Sequence, residues 1–320
     1  MMHPIERLRW IARAEDEPAA SLASEAAWTL AELTQQEPTA LLTACRRLLD
    51  RHPACGPLWW VSARLAAADD PLDAGRRSAA ELCSDETSDR VGRALRRSFT
   101  ASDVIVLTPP VELSLPVFES SKPYPLRVVG TPWLLRRSMR ALSAVAESDV
   151  TGWTSGEERE ALAGASVLLV EVLATAAAGT EQAGGSGSAG GSGSAGGSGS
   201  ASRSASAGGR HSGSVAGTGK ASRTGTAAGG RGGALVSPGT AVVVRVAREQ
   251  GVPVWAVIGV GRALPEWLFD AAAERAGESA DLVGLDDFAL AIGPDLTGAP
   301  AEVAARVTCP AGPELLRRPI

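Results

Sequence analysis

Apolar side chains recur every three or four positions through the first hundred residues, as they do along amphipathic helices. The first stripe of this kind starts at Leu22, and a second follows Pro38. A third stripe covers residues 58–68, and Ser88 is placed to cap a fourth helix. The pattern therefore predicts a helical N-terminal domain over residues 1–100.

The pattern changes after Asp103, where short runs of consecutive apolar residues begin to alternate with helical stretches. Continuous apolar runs are typical of strands buried on both faces, and their alternation with helices indicates a parallel sheet. The fold class is therefore α/β, with a Rossmann-like domain predicted over residues 101–320. The predicted strands are residues 104–107, 126–129, 167–170 and 253–260, and the predicted helices are residues 133–145, 240–250 and 265–276.

A segment rich in glycine and serine interrupts this domain at residues 180–232. It repeats the hexad Ala-Gly-Gly-Ser-Gly-Ser three times between residues 183 and 200. Such a composition cannot bury apolar surface, so we expect a disordered, low-complexity insertion. Its two ends need not lie far apart, because the cost of closing a loop grows slowly with its length.

The charge balance limits the partners of the chain. The net charge is −5, and residues 180–233 contribute +4, so the rest of the chain carries about −9. A body this acidic lacks the concentrated basic face that duplex nucleic acid requires. The predicted fourth helix carries arginines that suit either phosphate binding or a solvated helix face, and the solvated face is favoured. These arginines are Arg90, Arg93, Arg96 and Arg97.

Cysteine and histidine positions predict neither a metal site nor disulfides. The four cysteines include no CxxC pair, and Cys45 and His52, seven residues apart, do not form a known zinc motif. We expect reduced thiols, no metal and no cofactor. The first residues lack the apolar core of a signal peptide, and no window approaches eighteen apolar residues. These features predict a cytoplasmic protein that does not span a membrane.

Two glycine motifs imitate nucleotide-binding sequences without completing them. Residues 217–221, Gly-Thr-Gly-Lys-Ala, lack both the hydroxyl residue after the lysine and a preceding strand. Gly259-Val260-Gly261 follows a predicted strand, but Leu264 stands where a dinucleotide-binding fingerprint needs its third glycine. A turn into the next helix explains the second motif better.

The most distinctive stretch begins at Gly232 and reads Gly-Gly-Ala-Leu-Val-Ser-Pro-Gly-Thr, followed by a helical pattern and a Gly-Val-Pro strand start. Near the end of the chain, Pro313 opens a Pro-Glu-Leu-Leu segment. These segments resemble the family of the α, β and δ subunits of initiation factor 2B and its sugar-phosphate isomerase relatives. The resemblance implies a helical region followed by a Rossmann-like domain, and assembly as a homodimer.

The chain departs from the isomerases at the positions that carry their chemistry. After the first strand the isomerases have a Thr-His-Cys-type segment with a catalytic cysteine, and the matching stretch here, Thr-Pro-Pro from Thr108, has no thiol. Thr131 lies near the position of a substrate-binding arginine, and Ser237 replaces part of an Asn-Lys pair. Glu171 is the carboxylate nearest to the position of the catalytic aspartate, and it is the candidate for a base. Aldose–ketose isomerisation needs a positioned acid and base, so these departures favour a non-catalytic protein.

Gly239 and Thr240 persist from the resemblance and open a predicted helix, whose free N–H groups suit an anion. We therefore expect a site for a small phosphorylated ligand formed by Gly239, Thr240, Thr108 and Ser237. The turn is expected between the third and fourth strands of the α/β domain, at their carboxyl ends.

Three functions are compatible with these features. The first is a non-catalytic regulatory or scaffold protein that senses a sugar phosphate or nucleotide. The second is an isomerase with a rearranged site, and the third is an interaction module that uses the glycine–serine insertion.

Overall fold

The computed structural model describes residues 3–15, 17–120, 124–143, 150–176, 232–306 and 308–316. The helices are α1 (Pro4–Ile11), α2 (Ala19–Gln36), α3 (Leu41–Arg51), α4 (Gly56–Ala67), α5 (Pro71–Cys83), α6 (Thr87–Ser98), α7 (Leu115–Ser120), α8 (Pro132–Ser143), α9 (Glu158–Ala161), α10 (Thr240–Glu249), α11 (Glu266–Ala276) and α12 (Pro300–Ala304). The strands are β1 (Val104–Thr108), β2 (Leu126–Gly130), β3 (Val150–Thr154), β4 (Ala165–Glu171), β5 (Ala174–Ala176), β6 (Gly233–Val236), β7 (Val254–Val257), β8 (Asp281–Gly284), β9 (Leu290–Ile292) and β10 (Thr297–Gly298).

Side-chain hydrogen bonds lie at the start of two N-terminal helices, α5 and α6. Asp70 accepts hydrogen bonds from the first turn of α5, which also has a proline at its first position and which the apolar pattern did not predict. Helix α6 starts at Thr87, whose N–H donates to the Asp85 carboxylate at 2.9 Å, and its N-cap residue, Glu86, forms no side-chain cap. The prediction that Ser88 caps this helix is wrong, since Ser88 lies inside it.

The larger sheet has the strand order β10-β9-β7-β4-β1-β2-β3. All neighbouring pairs are parallel except β9 and β10, which are antiparallel. Taken in chain order, the six parallel strands have the arrangement 3-2-1-4-5-6 of a doubly wound nucleotide-binding fold. The predicted Rossmann-like α/β class is therefore confirmed.

A second, three-stranded sheet has the order β5-β6-β8 and is antiparallel throughout. The strand that leads to Gly239, β6, belongs to this sheet and was not predicted, and in the chain the Gly239 turn lies between β4 and β7, the third and fourth predicted strands. Ala176 pairs with Gly233 at the β5–β6 boundary. The glycine–serine repeats and the phosphate-loop imitation at residues 217–221 lie outside the described residues.

The described residues form three hydrophobic core clusters. Two of them cover the opposite faces of the parallel sheet. The third joins the apolar faces of the N-terminal helices to residues of the second sheet and of α11, including Ala174, Leu235 and Leu268. The division into domains at residue 100 stays a prediction, because the helical region shares this cluster with later segments.

The cysteines Cys45, Cys55, Cys83 and Cys309 are free thiols. Among the described residues, no helix has the length and apolar character needed to cross a membrane.

Candidate functional site

Strands β1 and β4 lie side by side at the centre of the parallel sheet, where the strand order reverses. Connections leave this point in opposite directions, which opens a crevice at the carboxyl ends of the two strands. Thr108 ends β1 and Glu171 ends β4, with Thr108 in register with Val170. The fold therefore brings two of the predicted site residues to the switch point of the sheet. Because side chains alternate along a strand, the two project from opposite faces.

Thr108 is buried, and its hydroxyl has no hydrogen-bond partner among the described residues. A buried hydroxyl without a partner is costly in a protein interior. Thr108 is followed by Pro109, which packs against Gly130 at the end of β2. The loops that follow β1 and β2 are thus contiguous at this edge of the sheet.

The Glu171 carboxylate is 2% exposed and lies beneath the loop after Pro110. Its Oε1 accepts hydrogen bonds from the backbone N–H groups of Leu113, at 3.0 Å, and Ser114, at 2.8 Å. Its Oε2 has no partner within the described part of the chain. Burial raises the pKa of Glu171 to about 7, because removal from water penalises the ionised form.

Arg262 and Glu112 complete a buried charge cluster with Glu171. Arg262 is 1% exposed, and its guanidinium donates to the Val172 carbonyl at 2.7 Å and to the Glu112 carboxylate at 3.2 Å. The positive charge of Arg262 opposes the rise in the pKa of Glu171, and the Glu112 charge adds to it. Glu112 also accepts from the Ala19 N–H through both oxygens at 2.9 Å, which ties this cluster to the start of α2.

Neither Arg262 nor Glu112 was predicted from the sequence. Both are far along the chain from Glu171, and only the fold brings them together. One local signal existed, since Arg262 is a charged residue directly after the Gly-Val-Gly turn and before the buried Leu264. A lone arginine among small and apolar residues needs a partner if it is buried.

The turn before α10 has the geometry that its glycine predicts. Gly239 has φ +88°, a backbone conformation that strains residues with a side chain. Its N–H and that of Ala241 donate to one carboxylate oxygen of Asp281, at 2.8 Å and 3.1 Å. Thr240 is buried and its N–H donates to the Ser237 carbonyl at 3.1 Å. A carboxylate of the chain itself therefore lies at this helix N-terminus.

A cleft of about 450 Å³ lies beside these loops. Ser237 lines it, together with Thr131 of the loop after β2. Thr108, Glu171, Gly239 and Thr240 are not among its lining residues. The lining also includes Arg51, His52, Cys55, Glu112, Trp133 and Arg137.

Two side chains of the cleft that could act as nucleophiles, His52 and Cys55, are limited by their surroundings. A ring nitrogen of His52 lies 2.9 Å from the Ile11 carbonyl oxygen, at hydrogen-bonding distance. Burial raises the pKa of the Cys55 thiol to about 12, so the reactive thiolate is scarce near neutral pH. The arginines of the lining supply positive charge and donors suited to an anionic ligand. Over the described residues, no group of three histidine, cysteine or acidic side chains is arranged to hold a metal ion.

No protein-family model matches the sequence, and no curated protein matches it either. Solved structures do resemble the fold. The initiation factor eIF-2B of Pyrococcus horikoshii aligns with a TM-score of 0.60 and 11% identity, over 94% of this chain and 98% of that one. The tetrameric eIF2B β2δ2 complex of Chaetomium thermophilum gives 0.59 and 12%, over 94% and 92%. The eIF2B δ subunit of the same organism gives 0.57 and 12%, over 91% and 97%. The chain has the fold that the sequence resemblance implies.

Proposed function

We propose that this chain is a non-catalytic regulatory or scaffold protein of the initiation-factor-2B type, which binds a small phosphorylated ligand at the carboxyl edge of its parallel sheet. One observation carries the non-catalytic assignment. The Glu171 carboxylate, the candidate base, lies outside the lining of the cleft and accepts two backbone N–H groups beneath the loop after Pro110. A general base must reach the proton that it removes.

The binding assignment rests on the groups around the cleft. Ser237 and Thr131 offer hydroxyls, and Arg51 and Arg137 offer positive charge. The anionic group of the ligand was predicted to bind at Gly239 and Thr240. The Asp281 carboxylate already accepts the N–H groups of Gly239 and Ala241 there, so it would compete with the ligand. We therefore place the phosphoryl group of the ligand in the cleft, between this helix N-terminus and the arginines of the lining. A ligand contact with Thr108 stays a prediction, because Thr108 is buried and does not line the cleft.

A thermal-shift screen of sugar phosphates and nucleotides tests this proposal. A ligand present at one hundred times its dissociation constant stabilises the folded state by about 2.7 kcal/mol. For a ligand found in this way, Thr240→Ala and Gly239→Val should weaken binding, whereas Thr43→Ala on the exposed surface of α3 should not. Unchanged affinity in both site variants, with the fold intact, would move the ligand away from Gly239 and Thr240.

One observation favours the alternative of a sugar-phosphate isomerase. A carboxyl group with a pKa near 7 is suited to general acid–base catalysis at neutral pH, and Glu171 has that property. We expect no turnover of ribose 1,5-bisphosphate or methylthioribose 1-phosphate. Turnover above the buffer rate that is abolished by Glu171→Gln would establish the isomerase and make Glu171 its base.

Self-association is part of the proposal. One structural neighbour is a tetrameric complex of eIF2B subunits. By analogy, we propose that this chain forms a homodimer through its α/β region, which sedimentation at several concentrations can test. The third function, an interaction module based on the glycine–serine segment, requires that removal of the segment abolish function.

A further inference from the structure

Helix α6 carries three arginines on one stripe along its surface. Arg90, Arg93 and Arg97 follow one another at spacings of three and four residues, which places their side chains on the same side of the helix. All three line a cavity of about 340 Å³ between α6 and the β9–β10 hairpin. Ala94, a small side chain, lies between them and leaves room in this cavity, which we call the arginine groove.

The arginines of the groove differ in how they are held. Arg90 is partly buried, and its Nε donates to the Pro294 carbonyl, so it is fixed against the start of the hairpin. Arg93 and Arg97 are exposed and form no ion pair or hydrogen bond within the described part of the chain. Asp295 lines the same groove and forms no ion pair with either of them. Two guanidinium groups are therefore free to bind an anion beside a third that is already positioned.

We propose that the arginine groove binds a small molecule that carries two or more linked phosphoryl groups. Guanidinium groups form paired hydrogen bonds with phosphate oxygens, and an anion removes the mutual repulsion of three neighbouring positive charges. The stripe spans about 10 Å along the helix axis, which exceeds the reach of a single phosphate. The volume suits a small molecule and not a folded partner.

The location and the charge of the groove make this site separate from the cleft at the carboxyl edge. None of the residues that line the arginine groove also lines the cleft. Outside residues 180–233 the chain has a net charge of about −9. The three arginines of the groove therefore form a positive patch on a body that is acidic as a whole. An acidic surround also disfavours nonspecific binding of anions elsewhere on this body.

The test is calorimetric titration of the full chain with tripolyphosphate and ATP at low salt, with inorganic phosphate and adenosine as comparison probes. We expect saturable binding of the two polyphosphates and much weaker binding of phosphate and adenosine. Arg93→Gln combined with Arg97→Gln should raise the dissociation constant at least tenfold, about 1.4 kcal/mol. The control, Arg47→Gln with Arg76→Gln, removes the same charge from exposed positions of α3 and α5 and should change it less than twofold.

A second variant separates the shape of the groove from its charge. Ala94→Leu fills the space between the arginines without changing the net charge, and it should also weaken polyphosphate binding at least tenfold. The proposal is wrong if no polyphosphate binds, or if the control pair weakens binding as much as the groove pair. It is also wrong if binding survives in the groove variants and is lost in Arg137→Gln, which would place the polyphosphate in the cleft. Equally tight binding of a polyglutamate peptide would assign the groove to an acidic peptide instead.

Discussion

The two sheets of this protein each hold one carboxylate by two backbone N–H groups. In the parallel sheet, Glu171 accepts from Leu113 and Ser114. In the antiparallel sheet, Asp281 accepts from Gly239 and Ala241. The hydrogen bonds are alike in number and length, but the surroundings differ. Glu171 is enclosed by the sheet and its covering loop, whereas Asp281 is half-buried at an edge strand.

At Glu171, burial and not the number of hydrogen bonds decides the direction of the pKa shift. Two backbone donors favour the ionised form of a carboxylate, yet the pKa of Glu171 is raised to about 7, because desolvation is the larger effect. The positive charge of Arg262 then lowers the free-energy cost of ionising the buried Glu171 carboxylate. Asp281 accepts N–H groups at a helix N-terminus, a position where the helix dipole favours a negative charge, and it forms no ion pair within the described part of the chain.

The largest expected loss of stability comes from removal of Arg262, the cation of the cluster with Glu171 and Glu112. Arg262→Met deletes the bonds to Val172 and Glu112 and leaves two buried or half-buried carboxylates without a cation. We expect a loss of about 3–5 kcal/mol in the free energy of unfolding, measured with urea. Arg245→Met, at an exposed position of α10, is the control and should change it little. A loss below about 1 kcal/mol for Arg262→Met would show that the cluster is not a stabilising unit.

The second prediction concerns pH. The folded pKa of Glu171, about 7, lies above its ordinary value of 4.5, so the folded state binds this proton more tightly than the unfolded state. Its stabilising contribution is complete below pH 4.5 and is lost as the pH rises to about 7. The loss amounts to at most about 3 kcal/mol. Arg262 and Glu112 face Glu171, and both remain in Glu171→Gln.

Urea unfolding of the wild type and of Glu171→Gln across pH 4–8 measures this contribution. The free energy of unfolding of the wild type should fall relative to that of the variant as the pH rises through this window. Parallel pH profiles for the two proteins would mean that Glu171 is ionised at neutral pH in the folded state.

The third prediction tests whether the antiparallel sheet depends on the segment between β5 and β6. Deletion of residues 182–231 leaves a short connection between Ala176 and Gly233, which are paired neighbours. The free energy of unfolding should not fall, and the shorter loop raises it by at most about 2 kcal/mol. Thermal and urea unfolding of the deletion variant measure the change. A clear loss of stability would show that the segment packs against the rest of the chain, contrary to the sequence prediction.

The smallest effect is expected at the half-buried carboxylate. Asp281→Ala removes the acceptor for the N–H groups of Gly239 and Ala241, and it should cost about 1 kcal/mol, as loss of an N-terminal cap does. Asp270→Ala, at an exposed position of α11, is the matched control. If the phosphorylated ligand competes for the same N–H groups, Asp281→Ala should also tighten its binding. A cost as large as that of Arg262→Met would remove the contrast between the two sheets.

The sequence by itself determined the alternation of buried strands and helices from Asp103 onward and the helices α2, α3, α4 and α6 before it, but not α1 or α5. Continuous apolar runs mark β1, β2, β4 and β7, because strands covered on both faces need apolar residues at every position. The turn at Gly239 could also be predicted from the sequence, because its backbone conformation favours glycine. The pattern of apolar residues along the chain reflects which positions are buried within each helix or strand, so it is enough to predict these elements.

The tertiary structure alone decided which distant segments meet. The short strands β5, β6 and β8 carry too few residues for a periodic signal, and their separate sheet follows from pairing across the chain. Asp281 reaches Gly239 across 42 positions, and Arg262 reaches Glu112 across 150. The pKa of Glu171 depends on how deeply the fold encloses it. Desolvation and charge pairing depend on distances in space, which a single sequence does not contain.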